Sequence, residues 1–172
     1  MPQVSPSKSP AVAGIVLCGG KSTRMGTSKA LLPFGPETML QRVVRILGEV
    51  VSPIVVVAAV DQELPPLPQS VILARDENEG RGPLEALRAG LKALPADVDA
   101  AYVTSCDVPL LVPGFVSQMI DLASGYDVAV MEIDGFTHPL SAVYRRSTLA
   151  TVEDLLANNR LRPVFLFDAV KT

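Results

Sequence analysis

A three-layer α/β domain of Rossmann-like build, with a mainly parallel sheet between two helix layers, is the fold this sequence predicts. Three observations carry that expectation. Short Val- and Ile-rich runs, apolar on both faces, alternate with amphipathic helical patterns. The 172 residues suit one domain, and 48% are hydrophobic against 19% charged, enough for a sizeable core. A glycine-rich, basic turn directly follows the first apolar run, where open α/β sheets hold their ligands.

In chain order, "MPQVSPSKSP" is rich in Pro and Ser and reads as a disordered tail over residues 1–10. It lacks the apolar stretch of a secretory signal, so a cytoplasmic protein is the default expectation. "VAGIVLC" (Val12–Cys18), "IVVVAAV" (Ile54–Val60), "VILA" (Val71–Ala74) and "AAYVTSC" (Ala100–Cys106) read as buried strands. "TMLQRVVRIL" opens with Thr38 and places Gln41 three residues on, the signature of a capping box, with Met39, Val43, Ile46 and Leu47 on one face. In "PLEALRAGLKAL", Leu84, Leu87, Leu91 and Leu94 form a core stripe, with Arg88 and Lys92 outside it. A helix beginning at Pro113 turns Phe115, Met119 and Leu122 inward. "YDVAVMEIDGFTHPLSAVYRR" reads as two strands around the turn Asp134-Gly135, followed by a helix near Thr148–Asn158. "ELPPLPQS" (Glu63–Ser70) is a loop within the domain.

Charge narrows the function classes. The net charge is −3 with no long basic block, which argues against nucleic acid as a partner. No apolar run reaches the ~18 residues of a membrane span. The two cysteines, Cys18 and Cys106, are expected to pack as small buried residues rather than form a disulfide or zinc site. An anionic ligand would need locally concentrated cations, and Lys21, Arg24 and Lys29 cluster in "IVLCGGKSTRMGTSK".

That stretch contains "GKST", the tail of a P-loop, but it is not one. Counting back from Gly20-Lys21-Ser22, the first P-loop glycine falls on Ile15, and the spacing from Gly14 to Gly19 leads to Gly20 where lysine is required. A G-x-G-x-x-G dinucleotide loop fails too. The logic of phosphate binding survives: two glycines after a strand let backbone amides approach a ligand, Arg24 offers a planar fork of donors, and Lys29 a mobile point charge.

"LCGGKSTRMGTSK" resembles the L-x-G-G-x-S-x-R-M-G-x-x-K signature of nucleotidyltransferases, and more narrowly of the molybdenum cofactor guanylyltransferases (MobA-like). Leu17, Gly19, Gly20, Ser22, Arg24, Met25, Gly26 and Lys29 match it. The likeness continues at Asp76, at Gly82-Pro83-Leu84, at "CDVP" (Cys106–Pro109) and at "HPLSAVYRR" (His138–Arg146). It implies a single nucleotidyltransferase domain over residues 11–172 and transfer of GMP from GTP to a molybdopterin-type cofactor, with release of pyrophosphate. It also implies Mg²⁺ as cofactor and molybdenum cofactor synthesis or acceptor proteins as further partners. Leu17, Cys18, Gly19, Gly20, Arg24, Lys29, Asp76 and Asp107 form the expected nucleotide-binding set. Arg24, Lys29 and Asp107 are the expected catalytic residues.

Asp107, at the tip of an apolar strand, resembles the family's metal-binding Asp. One carboxylate suits Mg²⁺, which is held by one or two carboxylates plus substrate phosphate oxygens. Asp76 is expected in a polar loop just after its strand and, by resemblance, against the guanine nucleotide; Arg75, Glu77, Glu79 and Arg81 beside it are expected on the surface. His138, the single histidine, belongs by resemblance to acceptor-site architecture, with a structural role as the alternative.

Rival readings are cytidylyl transfer to the same cofactor, a sugar-phosphate nucleotidyltransferase, or a non-catalytic nucleotide-binding module. The Gly19-Gly20 pair and the "GPL" segment favour guanine. Two departures from the family keep the non-catalytic module open as a reading. Val60 stands where relatives carry an Asn that contacts nucleotide, with Asp61 as a substitute. The chain stops at "FLFDAVKT" without the family's Asn-x-Asn-Thr-Pro segment.

Overall fold

A computed structural model of the chain describes residues 11–19, 28–76, 78 and 80–172. Strand β1 (Ala11–Leu17) is followed by a short hairpin, β2 (Pro33–Phe34) and β3 (Glu37–Thr38), then helix α1 (Met39–Leu47) and β4 (Ile54–Ala59). Next come β5 (Ile72–Asp76), α2 (Pro83–Lys92), β6 (Val98–Ser105) and α3 (Pro113–Leu122). The chain closes with β7 (Val128–Ile133), β8 (Phe136–Arg145), α4 (Leu149–Ala157) and the one-turn α5 (Val164–Phe167). Six strands make one sheet in the order β5-β4-β1-β6-β8-β7. The first four run parallel, and β8 pairs antiparallel with both β6 and β7.

The pleat explains the layers. In β1, Ala13, Ile15 and Leu17 join one core cluster while Val16 and Cys18 join the other, because successive side chains leave opposite faces of a strand. The first cluster is covered by Leu84, Leu87 and Leu91 of α2 and Val152 and Leu155 of α4. The second is covered by Leu40, Val43 and Leu47 of α1 and Val116 and Met119 of α3. Leu91 is wholly buried, and its truncation to alanine would cost about 2–5 kcal/mol. A Cβ on Gly90 would stand 2.7 Å from Ile15 Cγ2, and one on Gly14 would stand 2.5 Å from Leu47 Cδ2. Glycine at these two places therefore lets α2 and α1 press onto β1 from both sides.

Most expected elements are present. The Thr38–Gln41 capping box forms in both directions at the start of α1. The Asp134-Gly135 turn joins β7 to β8, with φ of 51° and 78°. Three details differ. The buried face of α1 is carried by Leu40 and Val44 beside Val43, Ile46 and Leu47, while Met39 is only half-buried. In α3, Leu122 is 63% exposed and Val116 fills the core instead, because Val116 and Met119 lie one turn apart on the inner face. Strand β5 runs on to Asp76, so Arg75 and Asp76 pair with Ala58 and Ala59 inside the sheet rather than in the loop after it.

Candidate functional site

The sheet order sets the site's position. From β1 the chain crosses to β4 through α1 on one face, and from β5 it returns to β6, on the other side of β1, through α2. The strand order therefore reverses between β1 and β6, and the loops leaving their carboxyl ends diverge around a crevice, the usual ligand position in such sheets. Leu17 is in register with Ser105, and the ladder continues one step further: the Cys106 amide donates to the Leu17 carbonyl at 3.1 Å. The loops carrying Gly19 and Asp107 thus leave the sheet side by side.

Asp107 and Lys29 meet at that edge. Lys29 Nζ donates to Asp107 Oδ2 at 2.6 Å, and the Ser105 hydroxyl donates to Asp107 Oδ1. The Lys29 and Asp107 side chains are 48% and 32% exposed, so the pair faces solvent. Burial pushes the Asp107 carboxyl up, but the Lys29 ammonium and the Ser105 hydroxyl outweigh it and hold the carboxyl below its ordinary value. The hydrogen bond to Asp107, then its charge, hold the Lys29 ammonium above its own. Cys18 and Cys106 are both free and buried beneath this edge, as expected. The hydrogen bond to Cys106 and burial push the Cys18 thiol up.

The remaining first-loop positions divide. Leu17 and Cys18 are buried at 5% and 7% exposure, and their main-chain groups are engaged: the Cys18 amide donates to Val57 O at 2.8 Å, and its carbonyl accepts from Gln62. Among the described residues, nothing lies within 4 Å of where a Cβ on Gly19 would stand. Gly20, Lys21 and Arg24 lie outside the described residues, as do Glu77 and Glu79.

Gln62 was not anticipated. Its Nε2 donates to Cys18 O at 3.1 Å and to Ser28 Oγ at 3.0 Å, while its Oε1 accepts from the Ala59 amide. One side chain thereby ties the end of β4 to both ends of the first loop. Val60 is 51% exposed and Asp61 is exposed, so the polar residue that reaches this loop sits two places beyond Val60. The helical and strand periods give no hint of it, because it lies in a turn.

Asp76 is 8% exposed and accepts from the Asn78 amide at 3.0 Å, so its carboxylate closes the turn after β5. Arg75, expected at the surface, is exposed but also tied down, donating to Ala59 O at 2.6 Å. Arg81, likewise expected at the surface, is half-buried: it donates to Leu156 O at 2.7 Å and pairs with Glu85 at 3.4 Å. Glu85 is the larger surprise, 1% exposed in the first turn of α2 and held by Asn78, Arg81 and Arg88. A glutamate on an amphipathic helix reads as a surface residue, but arginines four before and three after it can wrap it.

Each residue of Gly82-Pro83-Leu84 also has a structural task. Gly82 has φ +86° at the N-cap, Pro83 occupies the first turn, and Leu84 is fully buried. Beside them, a cavity of about 450 Å³ is lined by Arg81, Gly82, Pro83, Thr137, Pro139 and Arg162, among others. His138, between Thr137 and Pro139, is half-buried and faces Met131 across the β7–β8 pair.

Among the described residues no group of three or more His, Cys, Asp or Glu side chains gathers as a metal cage. One half-exposed carboxylate with a serine hydroxyl against it is the available hard-oxygen donor set, which fits a Mg²⁺ ion that completes its shell with water and phosphate.

Comparison with known proteins agrees with this geometry. A family model described as MobA-like NTP transferase domain matches residues 14–170. A Mycobacterium tuberculosis protein named probable molybdenum cofactor guanylyltransferase is 39% identical over 173 residues, covering 98% of this chain and 85% of its own. Two solved structures share the fold. One is a putative protein from Aquifex aeolicus, with a TM-score of 0.74, 24% identity, and coverage of 93% of this chain and 83% of that one. The other is molybdopterin-guanine dinucleotide biosynthesis protein A from Archaeoglobus fulgidus, with a TM-score of 0.72, 18% identity, and coverage of 93% and 80%.

Proposed function

The chain belongs to the MobA-like NTP transferase family, and from that premise we propose that it transfers GMP from GTP to a molybdopterin-type cofactor, releasing pyrophosphate. It is a nucleotidyltransferase, and the identity to guanylyltransferases runs through the whole chain rather than one motif. The structural observation that supports this reading most is the Lys29–Asp107 pair at the β1–β6 crevice: a cation and a carboxylate held together at the solvent-facing edge of the sheet.

In the reaction, a phosphate oxygen of the acceptor attacks the α-phosphorus of GTP. The new P–O bond forms as the bond to the β-phosphate oxygen breaks, and its electron pair leaves with pyrophosphate. Such a transfer needs positioning and charge neutralisation more than proton transfer. Lys29 would exchange Asp107 for the triphosphate, its charge offsetting that of the departing pyrophosphate. Gly19, with no described residue within 4 Å of where a Cβ would stand, would let backbone amides approach the phosphates, and Gly20 and Arg24 are assigned to the same task by the motif. Leu17 and Cys18 would hold the start of that loop through the sheet, and Asp76 would shape the turn under the guanine. Asp107, freed from Lys29 and oriented by Ser105, would hold Mg²⁺. When bound, Mg²⁺ supplies charge neutralisation on phosphate oxygens.

The test is pyrophosphate release in the presence of Mg²⁺ and molybdopterin, run with GTP and with CTP. Faster turnover with GTP is expected; faster turnover with CTP overturns the guanine assignment. Binding of GTP without release of pyrophosphate points to the non-catalytic module.

A further inference from the structure

Asp76 ends β5, and its Oδ1 accepts from the main-chain amide of Asn78 two residues on. Such a turn sets the carboxylate relative to its own loop, not relative to the rest of the fold. The Asn78 side chain supplies the second reference. Asn78 is exposed, yet its Nδ2 reaches Glu85 Oε1 in α2 at 3.0 Å. Glu85 is a fixed anchor. It is 1% exposed between the core residues Leu84 and Leu87, with Arg88 on Oε1 and Arg81 on Oε2. Arg81 is tied in turn to Leu156 O of α4 at 2.7 Å. A continuous chain of hydrogen bonds therefore runs from the core face of α2 through Glu85 and Asn78 to the Asp76 carboxylate.

The sheet puts that carboxylate at a telling distance. β5 lies two places from β1, so at the usual strand spacing Asp76 stands about 10 Å across from the end of β1 that carries Gly19. A nucleotide with its phosphates at Gly19 and Lys29 has its base over the ends of β4 and β5. Guanine presents two adjacent donors there, N1–H and the 2-amino group, and an ionised carboxylate is acceptor-only. Adenine and cytosine present no such pair. How well one carboxylate reads both donors depends on its direction.

We propose that Asn78 and Glu85 are positioning residues for base selection: their hydrogen bond transmits the rigidity of α2 to the Asp76 carboxylate and so sets how strongly guanine is preferred over a purine without the 2-amino group. The proposal rests on the guanine assignment of Asp76 above and adds what enforces it. Glu85 also complements the positive end of α2, a role that stabilises the helix and leaves base preference unaltered.

Calorimetry with GTP and with inosine triphosphate (ITP), which lacks the 2-amino group, separates the two roles. Wild type should bind GTP about tenfold to a hundredfold more tightly than ITP, the worth of a hydrogen bond to a carboxylate. Asn78→Ala and Glu85→Ala should each narrow that ratio about three- to tenfold while ITP affinity holds. The double variant should narrow it no further than either single one, because both act through one link. Glu85→Gln, which keeps an oxygen for Asn78, should retain the wild-type ratio. Asn78 is exposed, so Asn78→Ala carries the test if Glu85→Ala does not fold. An unchanged ratio in folded Asn78→Ala overturns the proposal and leaves the guanine assignment standing. So does a wild-type ratio in folded Glu85→Ala, since Asn78 would then act without its anchor. Equal losses of GTP and ITP affinity overturn it too, because a collapsed turn acts on both. A wild type that binds ITP or CTP as tightly as GTP overturns this proposal and the guanine assignment together.

Discussion

Glu85 and the Tyr102–Thr104 pair are equally hidden from water, and they are treated in opposite ways. Glu85 has Asn78 and two arginines around it, while the two hydroxyls have nothing among the described residues. A buried charge without partners would be neutralised or expelled, so Glu85 exists only because its surroundings satisfy it. An unpartnered hydroxyl is cheaper to leave, and a fold can tolerate it. Asp107 stands between these cases, with two partners but a third of its side chain in solvent. The comparison separates polar groups that the fold must satisfy from polar groups it can leave without a partner.

The largest effect should come from Asp107. Asp107→Ala should fold normally yet lower guanylyl transfer by about a thousandfold, because several kcal/mol of charge stabilisation are lost. Melting temperature and pyrophosphate release measured together check this, and a folded variant with near wild-type turnover would place Asp107 among the purely structural groups. Glu85→Leu should do the reverse. Breaking its network should cost about 2 kcal/mol of stability, less than a fully buried pair because Arg81 and Arg88 are 37% and 28% exposed. Urea unfolding measures it, and an unchanged midpoint would erase the contrast with Tyr102.

Lys29→Ala should weaken GTP binding about tenfold to a hundredfold without unfolding the chain, the range for a charge-assisted hydrogen bond. Calorimetry reads it directly; unchanged affinity removes Lys29 from the site. The smallest effect is that of pH on the Lys29–Asp107 pair. The Asp107 carboxyl is held low, so its stabilisation is present above the ordinary carboxylate value and lost as pH falls through the lowered one. The Lys29 ammonium is held high, so its share is present below the ordinary lysine value and lost as pH rises through the raised one. Across neutral pH the pair should add under about 1 kcal/mol, screened by its exposure. Thermal melts of Lys29→Met should show a shallower decline into acid than wild type; an identical decline would mean the pair is not held in solution.

Much of the fold was legible because it follows period and propensity. The Val and Ile runs of β1, β4 and β6 cannot be surface strands, and Thr38 with Gln41 announces the start of α1. Asp107 was legible as a polar residue ending an apolar strand. What escaped depends on partners distant in sequence. Gln62 reaches back 44 residues to Cys18, and Thr104 looks like any threonine in a strand until its hydroxyl is seen to lack a partner among the described residues. Glu85 escaped because helical periodicity places it correctly on the helix but cannot say which arginines fold over it. Leu122 was misplaced because α3 ends there and its last turn already points past the core.

The three hydrogen bonds of Gln62 bear on the cost of binding at the proposed site. Its amide joins Cys18 and Ser28, so those two residues are tied to one side chain in the structure without a ligand. Closing a loop costs entropy that grows slowly with its length, and here the cost falls on folding rather than on binding. For a nucleotide held as proposed above, Cys18 and Ser28 would already be gathered, so more of its contact energy would remain for holding the phosphates. A turn side chain outside every helix and strand would thus bear on how tightly that nucleotide is held.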